Sequence, residues 1–236
     1  IVLFILLTTF LFSVNIPSDN IFVKKFINKG NCDLILKNHG YFTTCYDYKL
    51  KSSIYAYTKL TRENVNSLNI KKRPRFFVDA NIHTKYQTHY KDYTKSGFDR
   101  GHGIASDASF DYSKKSQIMT YVMSQIYPQY PNTNRHSYLN VEKLERELAN
   151  KLGFVNSFMR ANFSLRPKKI GKNQLSVPLS FDKVYWNRNK KFMKCFNIPN
   201  DNIKTHNIYY LNNSKDFIKI NKKILSQIGF NINNTN

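Results

Sequence analysis

Four consecutive residues near the middle of the chain, Asp99-Arg100-Gly101-His102, set a guanidinium two positions from an imidazole. Residues two apart on a strand project to the same side. The glycine between them lets backbone or ligand approach closely. A neighbouring cation works against protonation of the imidazole. The arrangement therefore suits a neutral His102 acting as general base beside a phosphate-binding Arg100. A second set follows downstream, where Asn134, Tyr138 and Glu142 are spaced by four and four. On a helix beginning near Asn134, that spacing stacks an amide and a carboxylate along neighbouring faces. Both are hard oxygen donors suited to Mg²⁺, directly or through water. Each group also has a plainer reading: Asn134 as the helix N-cap, Glu142 as a solvated acid near a helix start, Arg100 and His102 as structural side chains.

Such groups act only if regular elements hold them. Residues 97–102, GFDRGH, read as a turn leading into a strand end, and Met119–Tyr127 as a strand stopped by Pro128. After the loop PQYPNTNRH comes the clearest helix of the chain. Its apolar stripe is Tyr138, Val141, Leu144, Leu148 and Leu152, with Lys151 in the last turn and Gly153 as the stop. Upstream, Tyr41–Leu60 reads as a β-hairpin broken near Lys49–Ser53, and Asp111–Ile118 as a short helix. Downstream, Phe154–Phe163, Gln174–Leu179 and Phe181–Trp186 read as strands, and Phe217–Ile228 as an amphipathic segment closed by Gly229. With no internal repeat, one α+β domain over residues 32–232 is the economical expectation. Residues 15–31 read as a linker or short leading helix and 233–236 as a frayed tail.

Composition narrows the chemistry. The 236 residues are 41% hydrophobic, which excludes wholesale disorder. Lys and Arg number 37 against 15 Asp and Glu, a net charge of +22. Nucleotide bias accounts for part of the lysine excess but not for the scarcity of acids. A charge of this size points to polyanionic partners. Only four Glu occur, and Glu142, Glu145 and Glu147 are three of them, so no carboxylate cluster for a two-metal site is visible.

The run IVLFILLTTFLFSV at 1–14 is shorter than the ~20 residues that span a bilayer. It fits the apolar part of an export signal, with a retained anchor or a buried element as the alternatives. Export implies a periplasmic or secreted protein, where disulfides persist. Cys32, Cys45 and Cys195 allow three pairings, of which Cys32–Cys45 is preferred because it closes a short loop. The cysteine and histidine spacings match no zinc site.

The block GFDRGH followed by SQIYPQYPNTNRHSYLNVEKLE resembles the DNA/RNA non-specific endonucleases, the family of the DRGH motif. That family separates its metal-binding Asn from its Glu by eight residues, the separation of Asn134 and Glu142. Weaker similarity covers Cys45-Tyr46-Asp47-Tyr48, Val177-Pro178 with Phe181 and Lys183, and Phe217–Phe230. The resemblance implies a ββα-metal (His-Me finger) fold with a mixed or antiparallel sheet flanked by helices. It also implies hydrolysis of DNA and RNA phosphodiesters, and a homodimer as one assembly. On this likeness His102 is the base and Arg100 neutralises charge on the transition state. Asn134 holds one Mg²⁺, or Mn²⁺, and Glu142 reaches it through water. Gln125 stands where the family usually has an Asn that helps hold phosphate and metal shell, and Arg135 joins Arg100 as a substrate contact. The basic loop Lys71-Lys72-Arg73 and the run Arg166–Lys172 become candidate phosphate contacts.

The chain departs from the pattern at Gln125, at Gly103-Ile104-Ala105-Ser106 in place of Leu-Ala-Pro, and at Tyr138 in place of Trp. Such departures motivate a second reading, a catalytically impaired relative that binds nucleic acid without cutting it. A third is an exported surface or interaction protein whose charge targets anionic envelope polymers; it requires the motif match to be chance, and His102 and Asn134 lying far apart would support it.

Overall fold

Strand alternation builds the frame of the molecule. The computed structural model describes residues 21–65, 70, 72–104, 106 and 109–204. The run 1–14, the segment Phe217–Ile228 and the tail 233–236 lie outside the described residues. The strands are β1 (Leu34–Leu36), β2 (Thr43–Asp47), β3 (Ser52–Thr61), β4 (Asp99–His102), β5 (Ile126–Gln129), β6 (Phe154–Asn162), β7 (Lys169–Ile170), β8 (Leu175–Ser176), β9 (Ser180–Asn187) and β10 (Phe192–Pro199). The helices are α1 (Ile21–Phe26), α2 (Lys114–Met119) and α3 (Leu139–Leu152). Six strands form one antiparallel sheet in the order β1-β2-β3-β6-β9-β10, while β4 pairs with β5 and β7 with β8. Strands and helices thus give an α+β fold, as the order of elements implied.

Successive residues of the sheet feed two cores. In β6, Val155, Met159 and Ala161 join the core built on α3, whereas Phe158 joins the one built on α1. In β9, Phe181 and Tyr185 go to the α3 side, and Val184 and Trp186 to the α1 side. On α3 the stripe of Val141 and Leu148 is buried, with Leu144 and Leu152 packed at its margin. Gly153 ends the helix at φ 84°, a backbone angle that suits glycine.

The short leading helix among the alternatives for residues 15–31 is present as α1, and the described part of this stretch is not a solvated linker. Phe22 on α1 is fully buried, its ring 4.7 Å from Phe158 and 4.4 Å from Trp186. Burying such a ring contributes roughly 1.5–3 kcal/mol, which no solvated linker supplies. A Cys32–Cys45 disulfide ties the chain after α1 to β2, and Cys195 is buried and unpaired with another cysteine. Nor is Met119–Tyr127 a strand. Ser113 caps α2 through a reciprocal box with Ser116, so the helix runs to Met119. A 3₁₀ turn over Met123–Gln125 follows, and the strand is confined to Ile126–Gln129. Pro128 lies inside that strand rather than after it, which a two-stranded ribbon tolerates because each strand is an edge. Among the described residues, no helix is long and apolar enough to cross a membrane.

Candidate active site

The site is assembled from β4, β5 and the helix that follows. Antiparallel pairing sets Arg100 opposite Pro128 and His102 opposite Ile126. The two glycines of this arm have packing reasons. A Cβ on Gly101 would fall 2.2 Å from Cδ of Gln129, and one on Gly103 would fall 2.3 Å from the Tyr127 ring. Real side chains do not approach that closely, so only glycine lets the strand lie against these buried residues. Gln129 uses the proximity to donate from Nε2 to the His102 carbonyl at 3.3 Å.

The helical arm starts earlier than its stripe suggests. Pro131 opens the helical run, a position where its missing N–H costs nothing. The backbone N–H of Asn134 already donates to the Tyr130 carbonyl at 2.9 Å, so Asn134 is inside the helix and is not its N-cap. Thr133–Tyr138 is π-helical before α3 begins. On a regular helix, eight residues overshoot two turns by about 80°. A π turn rotates less per residue, which shrinks that overshoot and brings Asn134 and Glu142 toward one face. Tyr138, wholly buried, donates its hydroxyl to the Gly103 carbonyl, joining the helix to the strand just past His102.

Between the arms lies a cleft of about 550 Å³. His102, Arg100, Asn134, Glu142 and Arg135 all line it, with Arg73 and Asp99. His102 is 6% exposed, and its ring meets Tyr121 edge-on at 5.2 Å and Phe76 at 6.0 Å. The Arg100 guanidinium stacks over Phe76 at 5.1 Å. Arg73, from the basic loop, donates from Nε to the Tyr121 hydroxyl at 2.7 Å and so stands at the cleft rather than in a solvated loop. Gln125 is placed elsewhere. Its side chain is wholly buried and donates to the Thr120 carbonyl, outside the residues that line the cleft. The arm one methylene longer than Asn reaches that inward partner.

Asp99 has no assigned role in the motif reading, yet it takes part in the site. Arg135 donates to both of its oxygens, at 2.8 and 2.9 Å, and Asn134 Nδ2 donates at 3.1 Å. Partial burial works against the charged form, but the Arg135 and Asn134 hydrogen bonds and the positive charges of Arg135 and Arg100 outweigh it, holding Asp99 below the usual carboxylate range. Its position beside Arg100 was visible in the sequence, but its partners 35 and 36 residues away were not.

Among the described residues, no cluster of three or more His, Cys, Asp or Glu could hold a metal ion. The cleft instead offers an amide oxygen and a half-buried carboxylate, Asn134 and Glu142. The Asn134 amide nitrogen is committed to Asp99, which leaves the oxygen as its free end. Two hard oxygen donors fit Mg²⁺, which keeps most of its own water, and do not fit zinc.

The profile of the DNA/RNA non-specific endonucleases matches residues 18–234. Human mitochondrial endonuclease G is 28% identical over 161 residues, covering 63% of this chain and 53% of that protein. The mitochondrial nuclease 1 of Schizosaccharomyces pombe is 33% identical over 143 residues, covering 59% of this chain and 43% of that protein. The chain thus spans about half the length of the curated relatives it matches. A crystal structure of the EndoG/EndoGI complex superposes with a TM-score of 0.72 at 20% identity, covering 92% of this chain and 91% of that one. That likeness is one of fold.

Proposed function

The chain belongs to the DNA/RNA non-specific endonuclease family, and from that premise we propose that it is a Mg²⁺-dependent, sugar-non-specific endonuclease hydrolysing phosphodiester bonds of DNA and RNA. The observation that carries the reading is the convergence of His102 and Arg100 from β4 with Asn134 and Glu142 from the helix in one cleft. His102 takes the proton of a water aligned against the scissile phosphorus. Its two aromatic neighbours hold the ring and limit solvent around it. Arg100, held over the ring of Phe76, presents its fork to a non-bridging oxygen and neutralises the charge that develops there. Asn134, through its amide oxygen, and Glu142, through water, would hold the cation. When bound, Mg²⁺ supplies Lewis-acid polarisation of the phosphate and relief of charge on the leaving oxygen. Mn²⁺ has the same ligand preference and is a substitute. The basic surface draws in the polyanion without regard to sequence. The Cys32–Cys45 pairing supports placement in an oxidising compartment, periplasmic or secreted.

The test is digestion of supercoiled plasmid and of a structured RNA with Mg²⁺ present. Both are expected to be cut, with cutting abolished by EDTA and reduced at least 10²-fold in His102→Ala, the lower range for loss of a general base. Unchanged cutting by His102→Ala overturns the assignment of the base. Salt-sensitive binding without cutting at any Mg²⁺ or Mn²⁺ concentration would instead establish the impaired binder.

A further inference from the structure

The acid that opens β4 is engaged entirely by the helix across from it. Arg135 spans both oxygens of Asp99, Nε to Oδ2 at 2.8 Å and Nη2 to Oδ1 at 2.9 Å, while Asn134 Nδ2 donates to Oδ2 at 3.1 Å. An ionised carboxylate only accepts hydrogen bonds. It therefore admits the NH₂ end of the Asn134 amide and excludes the oxygen end. The two ends of an amide have nearly the same shape, so packing alone discriminates poorly between them; an acceptor beside one end discriminates completely. With the ends exchanged, Asn134 would turn two N–H donors toward a cation. Arg135 completes the device by fixing the plane of the carboxylate through its own rigid fork. Stability does not account for the pair, since the Arg135 side chain is 64% exposed and exposed ion pairs contribute little.

We propose that Asp99, clamped by Arg135, is a positioning residue that dictates which end of the Asn134 amide is offered to the divalent cation, and that Arg135 acts on Asp99 rather than on substrate. The inference rests on the nuclease reading above. It converts an arginine expected to touch phosphate into the outer member of a chain Arg135–Asp99–Asn134 that ends at the cation. Groups one shell removed from a metal ligand change affinity by roughly 10- to 100-fold when removed.

The experiment measures Mn²⁺ binding to the whole protein by electron paramagnetic resonance, without nucleic acid, alongside plasmid cleavage. Asp99→Asn, which no longer discriminates between the amide's ends, is expected to weaken Mn²⁺ binding about 10- to 100-fold. Arg135→Ala is expected to weaken it less, Arg135→Lys to restore part of the loss, and the double variant to bind no worse than Asp99→Asn alone. Should Asp99→Asn fail to fold by circular dichroism, Arg135→Ala on its exposed side chain carries the same test. Parent-like Mn²⁺ affinity in a folded Asp99→Asn protein overturns the inference. So does an Arg135→Ala protein that keeps its Mn²⁺ affinity while the salt dependence of its DNA binding falls by about one unit, the signature of a lost phosphate contact. A parent that neither binds Mn²⁺ nor cuts plasmid overturns the nuclease reading itself, and with it this one. A parent that does both isolates the role of Asp99.

Discussion

At the scale of single residues, Gly101 decides whether the strand arm of the site can close. Any side chain there meets Gln129, which is wholly buried and holds the His102 carbonyl. Gly101→Ala must push Gln129 aside and give up that hydrogen bond. Overpacking of this kind costs about 1–3 kcal/mol. We therefore expect Gly101→Ala to lower the urea midpoint by a corresponding amount and to lower cleavage with it; an unchanged midpoint would show that Gln129 yields freely. The residues legible from sequence at this scale were those whose spacing is local. His102 stands two from Arg100, and Glu142 eight from Asn134, and local spacing is what strand and helix periods convert into geometry. Contacts made across the fold were not legible. The bond of Arg73 to Tyr121 spans 48 residues, and no local period announces it. Gln125 shows the opposite failure. Its place in the motif pointed to the cleft, but the side chain found a nearer carbonyl inside.

Among the elements, α3 carries Glu142 to the cleft, and its seat on the sheet contains two buried ionisable groups. Glu145 of α3 and Lys183 of β9 are both completely buried, with Nζ 3.7 Å from Oε2. Their burial was readable in principle. Glu145 falls four after Val141 and three before Leu148, on the apolar face, and Lys183 alternates between Phe181 and Tyr185 on the α3 side of its strand. Charge identity masked the periodicity. Elsewhere propensity misled in the same way: Tyr121 and Val122 favour strands, but Val122 makes only an isolated parallel bridge to Phe77, and Ile126–Gln129 is the segment that pairs with β4. Strand β10 went unread because its burial follows no clean alternation.

The buried pair makes a stability prediction. Burial raises the Glu145 pKa, and the nearby Lys183 charge offsets part of that rise. Lys183→Met leaves a buried carboxylate unpaired and is expected to cost about 3–5 kcal/mol at pH 7. With its folded pKa raised, Glu145 binds its proton more tightly in the folded protein than in the unfolded chain. Its contribution is therefore most favourable below the ordinary glutamate range and is lost as pH rises through the folded value. The deficit of Lys183→Met should accordingly narrow between pH 7 and pH 5. Glu145→Leu with Lys183→Met should match the parent or exceed it by about 1–4 kcal/mol. Urea unfolding at both pH values measures all three outcomes, and a single variant as stable as the parent at pH 7 would deny the pair any role.

For the molecule as a whole, several of the scarce acids are spent inward. Asp79 accepts from Ser124 and Asn81, Asp92 from Asn173 and the His89 backbone, and Asp182 from Arg160, Asn162 and Asn197. Each of these carboxylates organises a loop or a strand pair, and little negative charge remains to screen a chain of net charge +22. The outer field is therefore positive, and the cleft is rimmed with it. Arg73 lines the cleft, and Lys168 sits 4.9 Å from the ring of Phe98, another lining residue. Contacts with 6–10 phosphates would make affinity fall about 10³–10⁵-fold between 50 and 200 mM salt. Fluorescence anisotropy of a labelled duplex with His102→Ala protein, which leaves the duplex intact, measures this fall directly. Lys168→Gln should reduce the logarithmic slope by about one, because it removes one rim charge from an exposed side chain. Two unrelated duplexes of equal length should give the same slope and nearly the same affinity, since phosphates carry no sequence. If one duplex bound much more tightly at every salt concentration, base edges rather than phosphates would supply the difference, and a sequence-blind cleft would no longer describe this protein.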